Sequence, residues 1–313
     1  MTYIRRAIQA LAVYHAHGQY NRKKMFVRVG GGGNYRNLRN AAYTKNTNLQ
    51  NMNTIDLVEL GRMFMERYDK PTPLYQDDQH AVYWLGIPED SAFRCNTYLV
   101  VDGQEAVVVD PGGHGSFDFV KNRVAQIVSL DKVTALIVCH QDPDVAASMI
   151  DWLKMDPKIR IITSVRTNIL LPYYGIADYD FVNINENPVW YFNSGRQLKF
   201  IESPFLHFPG AFTTYDELSG FLFSGDIWAS IDMDWRLVVD DFSRHELKLN
   251  LFHIDYMASN IAARGFVARL RNIELNALLP QHGSIIPKKH VAKALSYLHD
   301  LKCGVDLIYP DLK

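Results

Sequence analysis

The chain has 313 residues, 48% hydrophobic and 21% charged, and its 33 basic and 34 acidic side chains leave a formal net charge of −1. That length supports a sizeable buried core, and the near-neutral balance excludes a dedicated nucleic-acid or membrane surface. Three widely spaced cysteines, Cys95, Cys139 and Cys303, exclude a disulfide framework or a cysteine zinc knot and point to a reducing cytoplasm.

Taken in chain order, Ile4, Ile8 and Leu11 fall at helical spacing and predict a short amphipathic helix over 2–17. Polar Gln9 interrupts the apolar stretch behind Arg5 and Arg6, which argues against a secretory signal. A linker follows in "RVGGGGNYRNLRN"; with no Lys-Ser/Thr behind the glycines, it is not a phosphate loop. Leu57, Leu60 and Phe64 predict a second helix over 54–68, stopped by "DKPTP". Residues 1–70 thus read as an N-terminal extension, and 71–313 as the main domain. There "AVYWLG", "NTYLVVDG" and "EAVVVDPGG" predict three strands, the last two a hairpin turning at Asp102-Gly103. A helix over 116–130, the strand "ALIVC", a helix over 145–154 and the strand "RIITS" come next. More strands follow over 198–224, then helix over 244–272, the strand "ALLP" and a last helix over 288–302. Strands run first and then alternate with helices, the pattern of an α/β (α+β) domain with a mixed sheet, or two sheets, under helices.

Chemistry gathers where apolar strands end. "VCHQDPD" delivers His140, Asp142 and Asp144 directly after a buried strand. An aspartate before a helix is also an ordinary N-cap, so this stretch alone leaves open a capped loop or a metal turn. Three other strand ends tip the balance: "ESPFLHFPG" with His207, "GFLFSGDIW" with Asp226 and "ALLPQHGSII" with His282. Such groups are costly to bury unless paired or metal-bound. Three histidines and three carboxylates suffice for two ions, with one carboxylate left to bridge.

His-x-x-x-Asp, a later His, Ser-Gly-Asp and Gln-His-Gly, separated by 62, 18 and 55 residues from Asp144 onward, resemble the metallo-β-lactamase fold, an αββα sandwich. They are most similar to the diiron domain of flavodiiron proteins. "FRCNTYLVVDGQEAVVVDPGG", "YMASN" and "LLPQHGSII" further resemble the oxygen-binding diiron proteins that lack a flavin domain. The resemblance covers about 73–300. It implies one ion on His140, Asp142 and His207, a second on Asp144 and His282, and Asp226 bridging. It also implies that Asp110 hydrogen-bonds the metal loop from behind. Two departures stand out. Asp142 occupies the position of a flavodiiron glutamate, and Val145 follows Asp144 where the hydrolase branch usually has histidine.

A donor set of imidazoles and carboxylates suits two iron ions, with zinc or manganese as substitutes. The expected function is binding of O2 or NO, as a sensor or as a reductase fed by a separate flavoprotein or rubredoxin. The chain runs only about 30 residues past His282, so no FMN domain is expected within it. The alternative is a metal-dependent hydrolase of an ester, thioester or phosphodiester. No catalytic residue is assigned, and a homodimer stays open. His253, Tyr256 and Trp228 are candidates to line the gas pocket, each against the plainer reading of helix or core packing. His80, His114, His245, His290 and His299 lack a comparable context.

Overall fold

A computed structural model of the chain describes residues 70–86, 93–233 and 235–311. The two helices expected before residue 70, and the glycine linker, lie outside the described residues.

Two mixed sheets carry the fold. The first orders β1 (Thr72–Gln76), β2 (His80–Trp84), β3 (Tyr98–Asp102), β4 (Glu105–Val109), β5 (Val133–Ile137), β6 (Arg160–Thr163) and β7 (Phe181–Asn183) side by side in sequence order. Its first four strands are antiparallel neighbours, and β4 to β7 run parallel. The β3–β4 hairpin turns at Gly103-Gln104, one residue later than expected. Asp102 and Glu105 are paired there, and Gly103, at φ 55°, supplies the left-handed start of the loop. The second sheet contains β8 (Val189–Tyr191), β9 (Gln197–Glu202), β10 (Phe212–Asp216), β11 (Phe221–Gly225), β12 (Ala277–Pro280) and β13 (Ile286–Pro287), ordered β13-β12-β11-β10-β9-β8.

Side-chain alternation along these strands sorts the core into layers. On β11, Phe221 and Phe223 face the first core cluster while Leu222 faces the second; on β12, Ala277 and Leu279 are split from Leu278 in the same way. The first cluster also holds Leu99 and Val107 of the other sheet, with Val124 of helix α1 (Phe117–Val124) and Trp152 of α3 (Met149–Met155). The second is filled by Phe252 of α5 (Phe242–Tyr256), Phe266 of α6 (Asn260–Arg269) and Leu298 of α7 (Lys288–Asp300). Helices therefore cover both outer faces. Strands buried on both faces explain the near-continuous apolar runs "YLVV" and "EAVVV". The helical stretch expected over 244–272 is two helices, parted at Met257, where the backbone turns extended, and restarted by Ser259, whose side chain accepts from the Ala262 N–H.

One polar device ties the sheets together. His80 on β2, 1% exposed, places Nδ1 2.9 Å from Asp102 Oδ2 on β3 and Nε2 3.1 Å from Asp216 Oδ2 at the end of β10. Arg196 reaches Asp102 at 3.4 Å and Asp77 at 3.2 Å. Burial disfavours a charged imidazole, but the bonds and charges of Asp216 and Asp102 outweigh it and raise its pKa. A raised histidine contributes stability that is complete below its unfolded value of 6.5 and is lost as pH rises through the higher folded value. His80→Ala should cost about 3 kcal/mol, because it strands buried carboxylates. Urea unfolding should show the largest gap from wild type near about pH 6, narrowing as the medium becomes alkaline.

Candidate metal centre

The predicted ligands sit just past strands or in turns, except Asp144, which lies in the first turn of a helix. His140 follows β5, Asp226 follows β11, His282 follows β12, and His207 lies in the turn between β9 and β10. The metal turn itself answers the capping question. Helix α2 (Pro143–Ala146) starts two residues earlier than expected, so Asp142, not Asp144, is its N-cap, and the Asp142 side chain makes no capping bond. The carboxylate is turned toward His207 instead, with its Oδ2 3.3 Å from Nε2.

The side chains form two groups. In the first, His140 Nε2 lies 3.6 Å from Asp142 Oδ2 and 3.4 Å from Asp226 Oδ2, and His207 Nε2 lies 3.0 Å from the same Asp226 oxygen. In the second, His282 Nε2 lies 3.0 Å from Asp144 Oδ2 and 3.6 Å from the other oxygen, Asp226 Oδ1. Asp226 is 4% exposed and offers one oxygen to each group. Neither His140 Nε2 nor Asp226 Oδ1 has a hydrogen-bond partner, although both atoms are buried. The donor atoms of His140, Asp142, His207 and Asp226, and those of Asp144 and His282 with Cys95, lie close enough together to hold an ion each, and orphaned buried atoms fit that role. The second group also contains Cys95, which the sequence reading left out because no CxxC spacing marked it.

Neighbouring residues fix how the ligands point. His140 Nδ1 lies 3.1 Å from Cys139 Sγ, and His282 Nδ1 donates to the Arg94 carbonyl at 3.2 Å, so both imidazoles turn Nε2 inward. Asp110, left-handed at φ 52°, accepts from the Cys139 N–H at 3.1 Å; burial pushes its carboxyl up to about 6. Behind it, Gly112 donates to the Val145 carbonyl, and Ser148 donates back to the carbonyls of Gly112 and Pro111. Gly113 lies close enough that a Cβ would stand 3.5 Å from the Pro143 carbonyl oxygen.

The three pocket candidates take different places. His253 is fully buried: Nδ1–H donates to the Leu249 carbonyl, and Nε2 accepts from the Trp228 N–H at 2.8 Å. Burial pushes its pKa down to about 4, keeping it neutral for that acceptor role. It thus holds the backbone two residues beyond Asp226. Trp228 is buried against Phe266, with its indole N–H donated to Ala294. Tyr256 stands against the metal group, its ring 5.8 Å edge-on from His207 and stacked on Phe252 at 4.5 Å. Phe93, absent from the sequence candidates, stacks on His282 at 3.6 Å. Together these rings back the imidazoles of His207 and His282.

Residues 93–283 match the family model described as ODP family beta lactamase. The chain belongs to this family. Its architecture is the metallo-β-lactamase fold expected from the sequence. The chemotaxis sensor ODP, in a structure described as its peroxy diiron species, is 35% identical, with 77% of this chain and all of that chain covered at a TM-score of 0.69. The apo state of the sensor from T. denticola is 33% identical, over 78% of this chain and 99% of that one, at 0.68. Among curated proteins, the anaerobic nitric oxide reductase flavorubredoxin of Enterobacter sp. (strain 638) is 28% identical over 154 residues. That match takes in 49% of this chain but 32% of the relative, so this ODP-family chain spans about a third of the reductase's length. Among the described residues, no helix is long and apolar enough to cross a membrane.

Electrostatics describe the metal-free centre. Burial alone would neutralise Asp226 and Asp142, but pairing with His140 and His207 holds both well below the usual carboxylate range. Burial likewise opposes charge on the imidazoles, yet neighbouring Cys139, with Asp226 and Asp142, holds His140 well above its ordinary value, and Asp142 and Asp226 push His207 up to about 9. Protons thus occupy positions that an ion would take. Stability from the His207 pairs is complete below 6.5 and is lost as pH rises through about 9. Metal-free protein should weaken across that window while divalent-ion affinity rises, and calorimetry at neutral pH should detect protons released on binding.

Proposed function

We propose that the protein is a non-haem diiron protein that binds O2 or NO in the cytoplasm, acting as a sensor. The observation that carries the reading is the shared carboxylate: Asp226 Oδ2 serves the His140–Asp142–His207 group and Oδ1 serves the Asp144–His282 group. One ion would be held by the first group, a second by the other, and Asp226 would bridge them. Two bridged iron ions supply redox-active binding of a diatomic. Zinc or manganese are the substitutes to expect when iron is scarce.

This chain's residues do the rest. Asp110, Ser148 and His253 hold the turns carrying His140, Asp142, Asp144 and Asp226, so the donors are set before any ion arrives. Phe93, Phe252 and Tyr256 place aromatic carbon against the imidazoles of His207 and His282. Val145, wholly buried, stands where a hydrolase would place a further histidine, and its alkyl side chain cannot donate to a metal. The match to the chemotaxis sensor, which takes in all of that chain at 35% identity, supports sensing. Acting instead as a reductase, it would draw electrons from a donor such as a flavoprotein or rubredoxin.

Protein loaded anaerobically with iron should hold about two ions per chain. It should gain a visible absorption band on exposure to O2 and a different one with NO. Two tightly held zinc ions, no optical response to either gas, and turnover of phosphodiesters would contradict the proposal.

A further inference from the structure

The two metal groups are unequal if only imidazoles and carboxylates serve. The first has His140, Asp142, His207 and Asp226 Oδ2, while the second has Asp144, His282 and Asp226 Oδ1. The poorer group has one more metal-competent atom beside it. Cys95 Sγ lies 3.7 Å from Asp144 Oδ2, and the donor atoms of Cys95, Asp144 and His282 all lie within 4.8 Å of one another. A second observation points to an ion at this spot: the buried Asp226 Oδ1, without a hydrogen-bond partner, stands 3.6 Å from His282 Nε2.

The thiol is held there by backbone pairing. Cys95 and His282 form an antiparallel bridge. On one side, the Arg94 carbonyl accepts from His282 Nδ1. On the other, the Asn96 N–H donates to the Gln281 carbonyl at 2.6 Å, and its side-chain amide donates to the carbonyls of Pro280 and Gly283, both at 2.9 Å. Trp84 Nε1 donates to Asn96 Oδ1 at 2.9 Å and fixes that amide. Three consecutive residues therefore grip the His282 turn, and the middle one is the cysteine.

We propose that Cys95 is a ligand of the second ion, coordinating as a thiolate. This inference rests on the two-ion reading above. On binding, the S–H bond breaks, the proton leaves to solvent and a metal–sulfur bond forms, with no change of oxidation state. The second ion then takes sulfur from Cys95, nitrogen from His282 and oxygen from Asp144 and Asp226, so each ion has four protein donors. The ions become chemically distinct, because the first sees only nitrogen and oxygen while the second also has a soft donor, which suits iron and zinc alike.

Titration of the metal-free full-length protein with cobalt(II), without oxygen, tests this. Wild type should show ligand-field bands for two ions and a near-ultraviolet sulfur-to-cobalt charge-transfer band that accompanies only one of them. Cys95→Ser and Cys95→Ala should both lose the charge-transfer band, keep the ligand-field bands of the first ion, and bind the other ion about tenfold or more weakly. Cys303→Ser, altering a buried thiol in the second core cluster, should keep the band. Ligand-field bands for two ions without the charge-transfer band, or a band that survives Cys95→Ser and disappears in Cys139→Ser, would overturn the assignment of Cys95 alone. Absence of any cobalt bands would overturn the two-ion reading and this inference with it.

Discussion

A carboxylate buried at the end of a strand is tolerable only when positive charge meets its oxygens. Asp226 is such a group, and both of its oxygens face imidazoles from other parts of the chain. That constraint organises the centre. His140 must come from β5 in one sheet and His282 from beyond β12 in the other, so the site exists only when the two sheets are packed in register. Without metal, protons on His140 and His207 offset the charge; with metal, the ions would do so through the same atoms.

Rigidity around this carboxylate comes from ordinary hydrogen bonding rather than from the ligands. Asp110 seats the backbone ahead of His140, His253 seats the backbone after Asp226, and Arg94 with Asn96 seats the His282 turn. Each support uses a buried polar group whose own needs are met by the loop it holds, which is how such groups avoid the penalty of burial. At the end of β10, the His80 bridge between Asp102 and Asp216 ties sheet to sheet in the same manner.

Much of this was legible in the sequence, for physical reasons. Strands buried on both faces leave long apolar runs, and a histidine or aspartate soon after such a run is conspicuous; this drew out His140, Asp226 and His282. The short edge strands β1, β7 and β8 were missed, since three to five residues with proline or asparagine nearby carry little periodicity. The break at Met257 was hidden because apolar residues continue across it. His80 looked incidental because its partners lie 22 and 136 residues away. Cys95 and Phe93 were invisible as site residues for a similar reason: they reach His282 through a bridge between segments nearly two hundred residues apart. His253 was noticed, but spacing could not tell a pocket group from one that holds the chain behind the pocket.

The central claim is that one carboxylate serves two ions, and metal stoichiometry in two single variants tests it most directly. Iron-loaded His282→Ala should retain the ion on His140, Asp142, His207 and Asp226, while Asp226→Ala should lose tight binding of both. Equal retention of two ions by Asp226→Ala and by wild type would contradict the account.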